Sequence, residues 1–222
     1  MAKTKAQADR ASAVEAKLNE LRELAVDDPQ AAQDQAWDWI SETGKRIHSD
    51  RTAATAELYE LFRLGSPAVG IHGQTEGMLV GFVAQPILDR FFAEVTKLWM
   101  PWVGKKFDAS SNEGINTLEQ SAKLPARILW PFYGMGSESE LGVEAFNFTT
   151  YTEPGALDPD REVLVIDYES VEDNPKLVIK QIRDELVGLV AGVHLGKMLW
   201  LRGGEKKPVL LAYFALKTPV DL

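Results

Sequence analysis

The pattern of apolar and polar positions is most informative near the C-terminal end, in residues 192–216. Two runs rich in β-branched and aromatic residues flank a polar break with two glycines, residues 202–208, which predicts a β-hairpin with a longer loop. The second run, residues 209–216, is apolar at almost every position, so we expect this strand to be buried on both faces. Such a strand needs a sheet around it, and the rest of the chain is expected to supply that sheet.

Other segments have a strand-like composition and are followed closely by turn residues. The predicted strands are residues 75–84, 143–151 and 163–168. Residues 112–118 are predicted as a short strand or the edge of a loop, and residues 182–190 lead into the C-terminal hairpin. Residues 87–98 have helical spacing instead, and the two prolines of residues 124–133 leave the state of that segment open. Several antiparallel strands ending in one buried on both faces favour a closed barrel, because closure removes exposed sheet edges.

The first 66 residues have helical periodicity. Val14, Leu18 and Leu21 form one amphipathic stripe. A second helix is predicted to begin after Asp28 and to end at Gly44, and a third follows over residues 50–65. The sequence therefore predicts an α+β protein with an N-terminal helical segment, residues 1–66, and an antiparallel β-barrel domain, residues 67–222.

Helices of this length are marginal alone, so each must pack on something. The third helix, which carries Leu58, Leu61 and Phe62, leads directly into the first strand. We expect it to cover the open mouth of the barrel. The other two helices would then keep apolar faces, which predicts a homodimer formed through the N-terminal helices.

The amino-acid composition argues against several classes of function and of site. The 222 residues carry 33 acidic and 24 basic side chains, a formal charge of −9, so no nucleic-acid partner is expected. The absence of cysteine excludes disulfides and thiolate metal sites. No run approaches the ~20 apolar residues of a membrane span, and no signal peptide is visible. We therefore expect a cytoplasmic protein without a membrane span.

Four short motifs carry a resemblance to known proteins. They are Gly77-Met78-Leu79-Val80, Trp102-x-Gly104-Lys105-x-Phe107, Asp184-Glu185-Leu186 and Gly192-Val193-His194-Leu195-Gly196-Lys197. In this order they resemble uncharacterised bacterial proteins with a lipocalin-like barrel, and also the small barrels of the nitrobindin and fatty-acid-binding type, over about residues 60–217. The resemblance implies an antiparallel lipocalin-like β-barrel more than an activity. Leu79 stands where one such family has the tryptophan of a Gly-x-Trp-x-Gly motif, which argues against a haem role.

Aromatic residues are the best candidates for a ligand site. A barrel of about eight to ten strands is either filled by its own side chains or holds one small ligand. Aromatic rings serve both purposes, so both alternatives stay open. The predicted ligand-binding residues are Trp99, Trp102, Trp130, Tyr133, Phe146, Phe148, Tyr168, His194, Trp200 and Tyr213.

Motifs of common catalytic sites and nucleotide-binding loops are absent from the sequence. The sequence therefore predicts non-enzymatic binding of an apolar small molecule, such as a lipid, a fatty acyl chain or an isoprenoid. No cofactor is expected, and no metal, since no second histidine is spaced to share one with His194.

Two alternatives accompany this prediction. One is an enzyme resembling the cone-shaped isomerases and hydratases, in which a buried acid works with a histidine or tyrosine. Its candidate residues are Asp167, Asp184, His194 and Tyr213. The other alternative is a haem-binding barrel with His194 as the iron ligand.

Overall fold

The computed structural model describes residues 2–83, 102–176, 178–202 and 207–220. This part of the chain contains three long N-terminal helices and one short helix within the sheet region: α1 (Ala2–Asp27), α2 (Pro29–Arg46), α3 (Arg51–Arg63) and α4 (Lys123–Leu129). The predicted helix over residues 87–98, and with it Trp99, lies outside the described residues. The short helix α4 falls in the segment whose two prolines left its state open.

Eleven strands follow the three long helices, and all of their pairings are antiparallel. They are β1 (Ser66–Pro67), β2 (Gly73–Gln74), β3 (Glu76–Phe82), β4 (Trp102–Asp108), β5 (Glu113–Leu118), β6 (Glu138–Ser139), β7 (Gly142–Pro154), β8 (Glu162–Asp167), β9 (Ile182–Val190), β10 (Val193–Arg202) and β11 (Lys207–Lys217).

The main path of the sheet runs β2-β4-β5-β7-β8-β9-β10-β11-β3. Strand β3 returns towards β4, because the backbone N–H of Thr75 donates to the carbonyl of Lys105 at 2.8 Å, and so does the Thr75 hydroxyl. The sheet is therefore a nearly closed barrel. Three N-terminal helices and this barrel confirm the predicted α+β class.

The predicted C-terminal hairpin is formed by β10 and β11, which pair His194 with Leu216 and Lys197 with Tyr213. Residues 211–216 are all buried, as their continuous apolar pattern predicts. One side of β11 faces the barrel interior and the other faces the helices. The hairpin thus contributes to both hydrophobic layers of the protein.

Strand alternation divides the buried residues into two clusters on opposite sides of the sheet. The inner face, towards the barrel interior, carries Phe148, Tyr168, Met198 and Phe214 among others. The outer face carries Val163, Val187, Leu195 and Tyr213 among others, together with the apolar stripes of the helices. The helices therefore cover one wall of the barrel.

The predicted N-cap of α2 is confirmed, and Asp50, at the start of the predicted third helix, also caps its helix. The carboxylate of Asp28 accepts from the N–H of Ala31 at 2.9 Å, and that of Asp50 accepts from Ala53 at 3.1 Å. The predicted end of the second helix at Gly44 is wrong, since α2 continues to Arg46. Gly44 lies against β3, where an added Cβ would be 2.5 Å from the carbonyl oxygen of Val80. The glycine permits close helix–sheet contact.

The expectation that the third helix covers the barrel mouth is also wrong. Leu58, Leu61 and Phe62 are fully buried in the outer-face cluster, so α3 packs against the wall of the barrel. The stripe of α1, with Val14 and Leu18, is buried in the same cluster. The homodimer therefore stays a prediction, and the apolar faces that suggested it are covered within the chain.

None of the helices in the described ranges is both long and apolar enough to cross a membrane. The division of the chain into a helical segment and a barrel domain at residue 66 stays a prediction. The outer-face cluster contains residues from both sides of that boundary, such as Leu61 and Val187.

Candidate functional site

Four polar side chains are buried together on the inner face of the barrel. Lys105 comes from β4, Asn116 from β5 and Asp184 from β9, and Tyr168 directly follows β8. Each is at most 1% exposed. A buried charge needs a partner, because desolvation penalises the charged form. We call these four residues the inner polar cluster.

A bulge in β4 helps to place Lys105. The register with β5 shifts between Trp102 and Gly104, so Trp102 and Lys105 can both face inwards although three positions separate them. An added Cβ on Gly104 would be 2.1 Å from the carbonyl oxygen of Thr75. The glycine allows the close approach of β3 that nearly closes the barrel.

The hydrogen bonds of the inner polar cluster use every N–H of the Lys105 ammonium. Its Nζ donates to Asn116 Oδ1 at 2.8 Å, to Tyr168 Oη at 2.5 Å and to Asp184 Oδ2 at 3.0 Å. Tyr168 Oη donates to the same Asp184 Oδ2 at 3.0 Å and accepts from Asn116 Nδ2 at 3.1 Å. Asn116 Nδ2 also donates to the carbonyl of Phe146 at 3.0 Å.

Aromatic rings surround the Lys105 ammonium. Its Nζ lies 5.6 Å from the ring centroid of Trp102, 5.3 Å from Phe148, 5.2 Å from Tyr168 and 5.5 Å from Phe214. These separations are within the range of cation–π attraction, which favours the charged amine. The rings also exclude water from the ion pair.

Burial dominates the electrostatics of the cluster. It lowers the pKa of Lys105, and the charge and hydrogen bond of Asp184 only partly restore it. Burial and the Asp184 charge raise the pKa of Tyr168 well above its usual value. The tyrosine therefore stays protonated and acts as a hydrogen-bond donor to the carboxylate.

A small cavity adjoins the cluster. It leaves about 10 Å³ for the centre of a water-sized group, which is room for about one such group. Two buried atoms of its lining residues, Asp184 Oδ1 and Trp102 Nε1, have no hydrogen-bond partner among the described residues. The cavity is lined by Leu79, Trp102, Lys105, Asp184, Met198, Ala212 and Phe214.

Most of the predicted ligand-binding aromatics belong to the inner face, as buried members of its cluster or packed against it: Trp102, Trp130, Tyr133, Phe146, Phe148, Tyr168 and Trp200. Three of them form a separate group away from Lys105. The ring centroids of Trp130 and Tyr133 lie 5.1 Å and 5.2 Å from that of Phe146. These rings pack together near α4. Trp130 and Tyr133 also line an open pocket with Phe132 and Asp173, and none of the three rings lines the cavity beside Lys105.

Tyr213 and His194, two of the predicted ligand-binding residues, do not line the cavity beside the inner polar cluster. Tyr213 belongs to the outer-face cluster, so its assignment to the barrel lining is wrong. Its neighbour Phe214 points inwards and lines the cavity, because adjacent strand residues face opposite sides. His194 pairs with Leu216 and Gly188 near the other end of β10 and is not among the cavity-lining residues.

The four residues suggested for an enzymatic site do not share one cavity. Asp184 is in the inner polar cluster, whereas Tyr213 faces the helices. Asp167 ends β8 and accepts from the N–H of Glu169 at 2.8 Å. Burial lowers the pKa of His194 to about 4, and its Nδ1 has no hydrogen-bond partner within the described ranges.

Lys105 and Asn116 are the residues that sequence reasoning missed. Lys105 reads as one half of a surface dipeptide with Lys106, yet only Lys106 is exposed. A usable signal was its position between Trp102 and Phe107 in a strand. Strand alternation places Lys105 on the same face as Phe107, which is consistent with a buried side chain. Asn116 gives no comparable signal.

A second buried ion pair lies on the outer face, between the sheet and α3. Lys197 Nζ donates to Asp158 Oδ2 at 2.5 Å, and Arg63 Nη1 donates to Asp158 Oδ1 at 3.0 Å. The Lys197 ammonium also lies 4.0 Å from the ring centroid of Phe62. We call these residues the outer polar cluster. It joins the turn between β7 and β8 to β10 and α3.

Among the described residues, no group of three or more His, Asp or Glu side chains is placed to hold a metal ion. Comparison with protein-family models and with curated proteins finds no match. A solved structure, "Crystal structure of protein from Thermomonospora curvata", is similar at 15% identity with a TM-score of 0.41. The similarity covers 81% of this chain and 99% of that one.

Proposed function

We propose that this protein is a non-enzymatic binding protein that holds an apolar small molecule, such as a lipid, a fatty acyl chain or an isoprenoid, inside a lipocalin-like barrel. The observation that carries the proposal is the cavity beside the inner polar cluster. Leu79, Met198 and Phe214 give it apolar walls, and the charged residues Lys105 and Asp184 are also among its lining residues. Apolar walls with a few placed polar groups are typical of small-molecule sites.

The size of the cavity sets a condition on the ligand. About 10 Å³ accommodates one small polar group and no chain, so the apolar part of a ligand must displace a side chain of the wall. Met198 is suited to this, because an unbranched thioether changes rotamer easily. We therefore propose that the ligand places its polar end at the cavity and its apolar part where the Met198 side chain now lies.

Extraction of the purified full-length protein with organic solvent tests the proposal, with mass spectrometry of the extract and titration with a fluorescent lipid probe that carries no carboxylate. We expect a bound apolar compound or saturable probe binding. Met198→Phe should weaken binding because a rigid ring fills the cavity. Tyr213→Phe is the matched control, since Tyr213 lies on the opposite face of the same sheet. If neither an extracted compound nor saturable binding is found, the proposal is overturned.

A cytoplasmic location is part of the same proposal and rests on the sequence alone. The homodimer through the helices is not part of it, since their apolar stripes are buried within the chain.

A further inference from the structure

Only one of the two carboxylate oxygens of Asp184 accepts hydrogen bonds from the described residues. Its Oδ2 accepts from Lys105 at 3.0 Å and from Tyr168 at 3.0 Å. Its Oδ1 is buried and has no hydrogen-bond partner in the part of the chain that the structure describes. A buried carboxylate oxygen without a donor is costly, so this atom favours any group that brings an N–H or O–H to it.

The ammonium of Lys105 and the hydroxyl of Tyr168 already donate their hydrogen bonds within the inner polar cluster. The three N–H bonds of the Lys105 ammonium go to Asn116, Tyr168 and Asp184. The Tyr168 proton goes to Asp184. The cluster therefore offers a ligand an acceptor, Asp184 Oδ1, and no spare positive charge. A ligand carboxylate at this position would face another carboxylate.

Trp102, another residue that lines the cavity, further limits which polar group the ligand can carry. Trp102 Nε1 is a buried donor without a hydrogen-bond partner in the described ranges, and Trp102 and Asp184 line the same small cavity. A hydroxyl group donates one hydrogen bond and accepts others, so it can satisfy both atoms. An ether can only accept, and an ammonium can only donate.

We propose that the barrel selects apolar alcohols, whose hydroxyl group donates to Asp184 Oδ1 and accepts from Trp102 Nε1. This inference rests on the proposed function, because it assigns the polar end of the apolar ligand. A buried lysine alone would suggest a preference for acidic ligands. Here the charge of Lys105 is already balanced by Asp184, so we expect alcohols to be preferred over acids.

A series of three ligands of similar size tests the inference on the unmodified protein: n-hexanol, methyl pentyl ether and hexanoate. Dissociation constants are measured by competition with the fluorescent probe at neutral pH. We expect n-hexanol to bind about tenfold or more tightly than the ether, as for one added hydrogen bond to a charged acceptor. We expect hexanoate to bind more weakly than both.

The outcomes separate this inference from the proposed function. If the ether equals the alcohol, or hexanoate binds best, the inference is overturned and the apolar site stands. If none of the three ligands competes and the probe does not bind, the proposed function fails as well.

Asp184→Asn provides a second test. The amide removes the counter-ion of Lys105, so the advantage of n-hexanol should shrink and hexanoate should gain. Asp158→Asn is the matched control, because it makes the same change in the outer polar cluster and should leave the order of the three ligands unchanged. Unchanged ratios between the three dissociation constants in folded Asp184→Asn would contradict the inference. If Asp184→Asn does not fold, the competition of the three ligands on the unmodified protein tests the preference for alcohols.

Discussion

The two buried lysine–aspartate pairs of this protein have the same chemistry and different surroundings. Lys105 and Asp184 meet inside the barrel at 3.0 Å, and Lys197 and Asp158 meet beneath the helices at 2.5 Å. All four side chains are at most 1% exposed. In the outer pair both oxygens of Asp158 are bonded, to Arg63 and to Lys197. In the inner pair one oxygen of Asp184 has no partner among the described residues, and Asp184 is one of the residues that line a cavity.

This difference indicates different roles. The outer pair joins three elements of the fold, and each oxygen of its carboxylate accepts a hydrogen bond. The inner pair keeps an acceptor where a ligand could reach it. Burial of a charge pair is weak evidence for stability, because desolvation offsets the attraction between the charges. The oxygen of Asp184 that lacks a donor, rather than the ion pair, is therefore the feature on which the proposed binding site rests.

The largest expected effect follows from removing one carboxylate of either pair. Asp184→Ala and Asp158→Ala each leave a buried ammonium without its counter-ion, and each should lower the free energy of unfolding by about 3–5 kcal/mol. Urea unfolding of both variants measures this. A loss below about 1 kcal/mol in Asp184→Ala would show that the inner charge is hydrated, and the comparison of two buried pairs would fail.

His194 differs from the two buried lysines, because burial alone shifts its pKa and no counter-ion offsets that shift. Its pKa is about 4 in the folded protein and 6.5 for an unperturbed histidine, so the unfolded chain takes up a proton first as the pH falls. Stability is therefore complete above about pH 6.5 and decreases below it, by at most about 3 kcal/mol near pH 4. Urea unfolding of the wild type and His194→Gln across this range measures the difference. Parallel pH profiles would contradict the prediction.

Two buried tyrosines provide a matched pair on opposite faces. Tyr168→Phe removes a hydroxyl that bonds Lys105, Asn116 and Asp184, so it should cost about 1–3 kcal/mol of unfolding free energy. Tyr213→Phe removes a buried hydroxyl without a partner in the described part of the chain, so it should change stability by less than about 0.5 kcal/mol or increase it. Thermal unfolding compares them, and equal losses would contradict the assignment.

A small net effect on stability is expected from replacing the whole inner pair. Lys105→Met with Asp184→Leu removes both charges and their desolvation cost, so stability should stay within about 1 kcal/mol or rise. The single change Lys105→Met is the control and should be less stable than the double variant. The preference for n-hexanol over methyl pentyl ether should disappear in the double variant. A retained preference would place the alcohol site elsewhere.

Local patterns in the sequence determined the secondary structure. The stripe of α1, the N-cap at Asp28 and the two arms of the C-terminal hairpin could be predicted, because periodicity and capping depend on residues a few positions apart. The α+β class followed from the order of these elements. The predicted end of α2 at Gly44 was wrong, because that glycine serves the contact with Val80 and does not end the helix.

The tertiary structure decided which side of each strand faces the barrel interior and which residues meet there. Alternation places Tyr213 and Phe214 on opposite faces, but β11 is apolar on both, so its sequence does not say which face is inside. Lys105 and Asp184 are 79 positions apart, and their meeting depends on the bulge in β4 and on the strand order of the whole sheet. The site is therefore a product of long-range packing, which no local pattern encodes.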